Sequence, residues 1–131
     1  MDHPHLKYQR LIDFCKALPP TSVAVAHPCD EASLTGAMDA ARAGLIAPLL
    51  VGPRDRIEAT ARRFGIDISG VPVIDVPHSH AAAERAVELV REGSAEALMK
   101  GSLHTDELMG AVVRRESGLR TSRRVSHCFV M

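Results

Sequence analysis

Tryptophan is absent from the 131 residues, and one tyrosine with three phenylalanines makes up an aromatic share of only 3%. A protein that holds single-stranded nucleic acid needs aromatic faces on which bases stack. It also needs a cationic excess, yet sixteen lysines and arginines are balanced here by sixteen aspartates and glutamates. Nucleic acid is therefore excluded as an expected partner. Cysteines number three, at irregular spacing, which excludes a disulfide framework and points to a reduced, cytoplasmic protein. No apolar run approaches the roughly 20 residues of a membrane span, and Met1-Asp2-His3-Pro4-His5 lacks the apolar segment of a secretory signal. No membrane partner is expected.

What the chain has is alanine, with valine, leucine and isoleucine. Hydrophobic residues reach 46% and charged residues 24%, the balance of a globular domain. A chain of this length suits one domain and buries about two-thirds of its unfolded surface, enough for a core without metal or disulfide staples.

The periodicity alternates between helix and strand. Leu6 to Leu18 has helical spacing stopped by Pro19-Pro20. Ser22 to Ala26 reads as a strand buried on both faces. Glu31 to Ala43 is a helix ending before Gly44. Pro48 to Val51, Val71 to Val76 and Ala97 to Met99 are further strands, and Val125 to Met131 starts a fifth. Helices over Arg54–Phe64, Ala81–Arg91 and Thr105–Arg115 fall between them. The pattern predicts a mostly parallel sheet covered by helices on both faces through right-handed crossovers, over a single α/β domain spanning 1–131. Cys128-Phe129-Val130-Met131 stops inside an apolar strand, so the domain is expected to be a fragment of a longer protein.

In open α/β sheets, ligands bind outside the carboxyl ends of the strands. Those ends carry His27-Pro28-Cys29-Asp30, Gly52-Pro53-Arg54, Pro77-His78-Ser79-His80 and Lys100-Gly101-Ser102-Leu103-His104-Thr105. Four of the seven histidines fall there, whereas the amino-end connections are chemically bland. In the last of these junctions, Gly101 allows close backbone approach, Ser102 and Thr105 precede or open a helix, and Lys100 adds charge. Phosphate is the anion such a turn favours. The alternative is a tight turn at Gly101 with Ser102 or Thr105 capping the helix. It is not a Walker A loop. His27, Cys29 and Asp30 could belong to a metal site with His78, His80 or His104, or to a thiol nucleophile with a histidine base. Neither has diagnostic spacing, so no metal is expected. Asp30 reads as the N-cap of the second helix and Ser79 as that of the fourth. Arg114, Arg115, Arg120, Arg123 and Arg124 form either a solvated face or a collar for a polyanion.

The stretch Val23–Asp30, the Ala97-Leu98-Met99-Lys100-Gly101-Ser102-Leu103-His104-Thr105 stretch, Gly118-Leu119-Arg120-Thr121 and Val125-Ser126-His127 resemble the phosphate acetyltransferase/phosphate butyryltransferase family. The Met-Lys-Gly form is closer to the butyryl-type branch and to versions fused to an enoyl-CoA hydratase domain. The resemblance implies an enzyme that converts acyl-CoA and inorganic phosphate to acyl phosphate and coenzyme A. Coenzyme A would be a substrate, with no tightly bound cofactor. It further implies a two-domain fold like that of isocitrate and isopropylmalate dehydrogenases, of which this chain is the N-terminal part, and a homodimer. Phosphate would lie among Lys100, Gly101, Ser102, His104, Thr105, His27 and Arg120. The family's thiol-handling Ser and Asp belong to its later half, so no catalytic residue is assigned in this chain. Met109 stands where the acetyl branch has an arginine. The competing class is a non-catalytic α/β module that binds a phosphorylated ligand. A dehydrogenase lacks support, since no Gly-x-Gly-x-x-Gly follows any strand.

Overall fold

Helix and strand alternate without interruption through the computed structural model, which describes residues 6–126. The order is α1 (Leu6–Lys16), β1 (Thr21–Ala26), α2 (Glu31–Arg42), β2 (Ile46–Gly52), α3 (Arg54–Phe64), β3 (Val73–Asp75), α4 (Ser79–Arg91), β4 (Ala97–Lys100) and α5 (Thr105–Val112). The four strands form one parallel sheet in the order β3-β2-β1-β4. Ala26 is in register with Val51 on one side and with Lys100 on the other.

Side chains alternate across β1, and this sorts the core into two halves. Val23 and Val25, with Leu50, pack against Leu34, Ala37 and Met38 of α2 and against Ile57 and Ala61 of α3. Ala24 and Ala26 face the other way, onto Ala82, Ala83 and Ala86 of α4 and onto Leu108 and Ala111 of α5. Alanine on both sides of that second interface lets helix and sheet approach closely, which accounts for the alanine-rich composition. Val25, Leu34, Leu50 and Ile57 are fully enclosed, and each contributes about 1.5–3 kcal/mol by leaving water. The result is a three-layer α/β arrangement.

Local signals set most boundaries. Asp30 Oδ1 accepts the Ser33 N–H at 2.9 Å, the cap expected of it. Gly65 ends α3 in the left-handed region at φ 65°, which residues with a Cβ avoid. Other expectations are corrected. His78, not Ser79, caps α4, with its Nδ1 accepting the Ala81 N–H at 3.1 Å, because Ser79 turns its hydroxyl to Glu107 of α5. β3 is shorter than expected from Val71–Val76; Pro72 has no N–H to give the ladder, although its carbonyl still accepts from Leu50. α5 stops at Val112 rather than Arg115, because the chain folds back and Leu119 N–H donates to the Val112 carbonyl at 2.7 Å. α1 buries none of its residues, and Leu6, Leu11, Phe14 and Leu18 of its expected apolar face are exposed. Periodicity puts residues on one face without saying what covers it. The strand expected from Val125 onward extends into residues 127–131, outside the described residues; Val125 and Ser126 are in no strand. Among the described residues no helix is long and apolar enough to cross a membrane.

Candidate functional site

β1 and β4 are neighbours in the sheet, yet the helices that follow them lie on opposite faces. Beyond the bases of their outgoing loops the chain leads to opposite faces, the arrangement that in open α/β sheets gives a crevice at the carboxyl edge. This is the topological switch point where open α/β sheets bind ligands.

Backbone hydrogen bonds fasten the floor of the crevice. Gly101 N–H donates to the Ala26 carbonyl at 2.8 Å, and Ser102 N–H to the His27 carbonyl at 2.7 Å. His27 N–H donates across to Val51 at 2.7 Å. The two loops approach so closely that a Cβ on Gly101 would sit 2.3 Å from the Ala26 carbonyl oxygen and 2.4 Å from that of His27. Glycine is required here by the neighbouring strand. The Gly101 and Ser102 amides are thereby engaged within the protein and are not free for an anion.

Ser102 acts as a clamp. Its hydroxyl donates to the His27 carbonyl at 2.8 Å and accepts the Cys29 N–H at 3.2 Å. His27 has a left-handed backbone, φ 58°, unusual for a residue with a Cβ. These bonds hold it there, with only 3% of its surface exposed. Its Nδ1 lies 3.1 Å from the Ser102 carbonyl and 3.0 Å from the Ser102 hydroxyl. Its Nε2 faces Arg56 Nη1 at 3.5 Å. Burial pushes the His27 pKa below the usual histidine range; the Ser102 carbonyl opposes this and Arg56 adds to it. Burial thus favours the neutral ring.

Lys100 ends β4 with an exposed side chain whose Nζ, among the described residues, reaches only the Gly101 carbonyl, 3.5 Å away. Arg56, in the first turn of α3, comes from a third element. Neither cation forms an ion pair with a carboxylate among the described residues. Asp30 stands nearby, its carboxyl held below the usual range by the Ser33 hydroxyl and amide, with Lys100 and His27 assisting. His104 and Thr105 are exposed at the start of α5. Glu107 accepts the His104 N–H at 3.4 Å and the Ser79 hydroxyl at 3.2 Å, fixing α5 against α4.

The structure thus brings together His27, Lys100, Gly101 and Ser102, with His104 and Thr105 at the rim. Arg120 lies apart, beyond the far end of α5, beside a cavity of about 430 Å³ shared with Arg123 and Arg124. Burial pushes the Cys29 thiol pKa up, which disfavours a reactive thiolate. His80 pairs with Glu84 at 3.0 Å on the α4 surface. Among the described residues no group of three His, Cys, Asp or Glu side chains could hold a metal ion. Arg56 escaped sequence reading. The available signal was the Arg54-Asp55-Arg56 run after the second strand, of which Arg54 alone stood at a junction. A cavity of about 580 Å³ lies between α3 and the β3 edge, away from these groups.

No family model matches the chain. Among curated proteins, the phosphate acetyltransferase of Rhizobium meliloti is 56% identical over 125 residues, covering 95% of this chain and 40% of the relative. The phosphate acetyltransferase of Rickettsia felis is 53% identical over 112 residues, 86% of this chain and 32% of the relative. The phosphate butyryltransferase of Clostridium acetobutylicum is 38% identical over 108 residues, 82% of this chain and 36% of the relative. The chain therefore spans well under half the length of these relatives. The solved EutD phosphotransacetylase from Staphylococcus aureus superposes with a TM-score of 0.61 over 75% of this chain and 39% of that one, at 17% identity, which shows a shared fold.

Proposed function

We propose that this chain, which belongs to the phosphate acetyltransferase/phosphate butyryltransferase family, supplies the phosphate side of an acyltransferase site. The reaction joins acyl-CoA and inorganic phosphate to give acyl phosphate and coenzyme A. The observation that carries this reading is the convergence of His27, Lys100 and Arg56, from three elements, on the β1–β4 switch point, with both cations unpaired to carboxylate among the described residues.

In the direction of acyl-CoA formation, the coenzyme A thiolate attacks the carbonyl carbon of bound acyl phosphate. A C–S bond forms, the C–O bond to phosphorus breaks, and phosphate leaves with the electron pair. Lys100 and Arg56 stabilise the charge on that leaving phosphate, and the fixed crevice keeps it aligned. The family resemblance implies that thiol activation belongs to the part of the protein that this chain does not span. Kinship with longer phosphate acyltransferases supports reading the chain as part of a longer protein with coenzyme A as a substrate; the family resemblance implies two domains and no tightly bound cofactor. The family resemblance also implies a cytoplasmic homodimer. His104 and Thr105 would border the acyl side of the phosphate. Arg120 would contribute only as a more distant positive charge.

A chimera tests the reading. This chain replaces the matching segment of the Rhizobium meliloti enzyme, and arsenate-dependent thiol release from acetyl-CoA and butyryl-CoA is measured. Turnover is expected from the chimera and none from the 131 residues alone. A folded chimera without turnover, in which this chain still binds phosphate, would favour the non-catalytic binding module.

A further inference from the structure

The hydrogen bonds around His27 fix which of its ring nitrogens carries the proton. The Ser102 carbonyl can only accept, so Nδ1 at 3.1 Å from it must be the donor. The Ser102 hydroxyl gives its proton to the His27 carbonyl, so it too meets Nδ1 as an acceptor. In a neutral ring Nε2 then bears a lone pair. Its hydrogen-bonding neighbour among the described residues is Arg56 Nη1 at 3.5 Å, longer than an ordinary hydrogen bond. A buried, poorly satisfied acceptor thus stands beside a fork of donors that no carboxylate neutralises. The other charged groups around the ring are Glu107 from α5 and Asp30 before α2, with Lys100 closing the crevice from β4.

A ligand that suits both groups must accept from one and donate to the other. Hydrogen phosphate does this with an ionised oxygen and a P–OH on the same tetrahedron. We propose that Arg56 and His27 Nε2 form a single subsite that recognises the protonated oxygen of hydrogen phosphate. The site therefore discriminates against sulfate, an anion of the same shape with no proton to donate at neutral pH. Arg56 donates to an ionised oxygen, the P–OH donates to Nε2, and no proton is transferred. The inference rests on the phosphate reading above and specifies how the anion is chosen.

The test uses the 131-residue chain labelled with ¹⁵N, titrated at pH 7 and constant ionic strength with phosphate, arsenate and sulfate in turn. The His27 ring nitrogens are followed by NMR. Phosphate and arsenate, which both carry a hydroxyl, should bind about tenfold or more tightly than sulfate, the factor one hydrogen bond to a charged partner gives. They should move the Nε2 resonance. His27→Asn retains an N–H for the Ser102 carbonyl and tolerates the left-handed backbone, but it has no Nε2. It should lose about tenfold in phosphate affinity and little in sulfate affinity. Arg56→Gln should weaken all three anions together. Equal binding of phosphate and sulfate by the unaltered chain overturns the proposal, as does an absence of binding. Should His27→Asn fail to fold, the sulfate comparison and Arg56→Gln still decide. Turnover by the chimera without phosphate-over-sulfate preference would sink this subsite and leave the acyltransferase reading standing. Preference without turnover would do the reverse.

Discussion

At the β2–β3 side of the sheet's carboxyl edge, the polar groups satisfy one another. Asp75 accepts the Arg54 N–H at 2.9 Å, and the Arg54 guanidinium donates to the Val73 carbonyl at 2.9 Å. At the β1–β4 side, Lys100 reaches a carbonyl and Arg56 an imidazole nitrogen, each at a long 3.5 Å. Both junctions are strand ends rich in charge, and composition does not separate them. Hydrogen-bond closure does: the first junction is a finished cap, whereas the second has donors left over for a ligand. Polar density at a strand end locates candidates, and the unsatisfied remainder selects among them.

The sharpest way to break this contrast is Gly101→Ala. The added methyl would meet two backbone oxygens that belong to the neighbouring strand and its loop. Relief requires β1 and β4 to move apart at the site, and a loss of about 3 kcal/mol or more is expected in denaturant unfolding. Unchanged stability would mean that the loops are not fastened as described. Lys100→Ala should act on binding instead. Phosphate affinity of the chain, and the phosphate KM of the chimera, should weaken roughly ten- to a hundredfold, as for a lost bond to a charged group. Its unfolding curve should stay nearly in place, because an exposed side chain is removed.

Asp75→Ala should show the opposite profile. Removing the cap of α3 costs about 1 kcal/mol of stability, while phosphate titration is unaffected. Loss of phosphate binding in that variant would make the two junctions one site. The smallest expected effect is the pH dependence. His27 has a folded pKa below its unfolded one, so under acid the unfolded chain binds more protons than the folded chain. Its contribution is present above about pH 6.5 and is lost as pH falls from there through the lower folded value. Unfolding curves between neutral and mildly acid pH should show this slope in the unaltered chain. His27→Asn should flatten it, and an unchanged slope would assign it to other groups.

Much of the fold was legible because local rules set it. Pro19-Pro20 stops the first helix, Asp30 starts the second, and Gly65 ends the third. The short β-prone runs in between, bounded by turn residues, read as strands. The candidate site was legible in part, since His27, Lys100, Gly101 and Ser102 lie at strand ends where α/β chemistry collects. Their division of labour was not. Gly101 suggested close backbone approach to an anion, but the Gly101 and Ser102 amides join the β4 end to the β1 end, and only the paired geometry discloses that. Arg56 gave only the weak signal of its basic run, because its relation to His27 spans 29 residues and depends on α3 meeting the loop after β1 in space.

The sequence by itself determined the alternation of helix and strand, the two-faced strand β1, the helix caps and the family kinship. Each of these depends on residue identity or on contacts a few positions apart. Tertiary structure alone decided the strand order and so the place of the crevice. Parallel pairing joins segments far apart in the chain, and the periodicity of one strand carries no record of its neighbour. The same holds for the histidine tautomer, since the proton on Nδ1 is fixed by a serine 75 residues away.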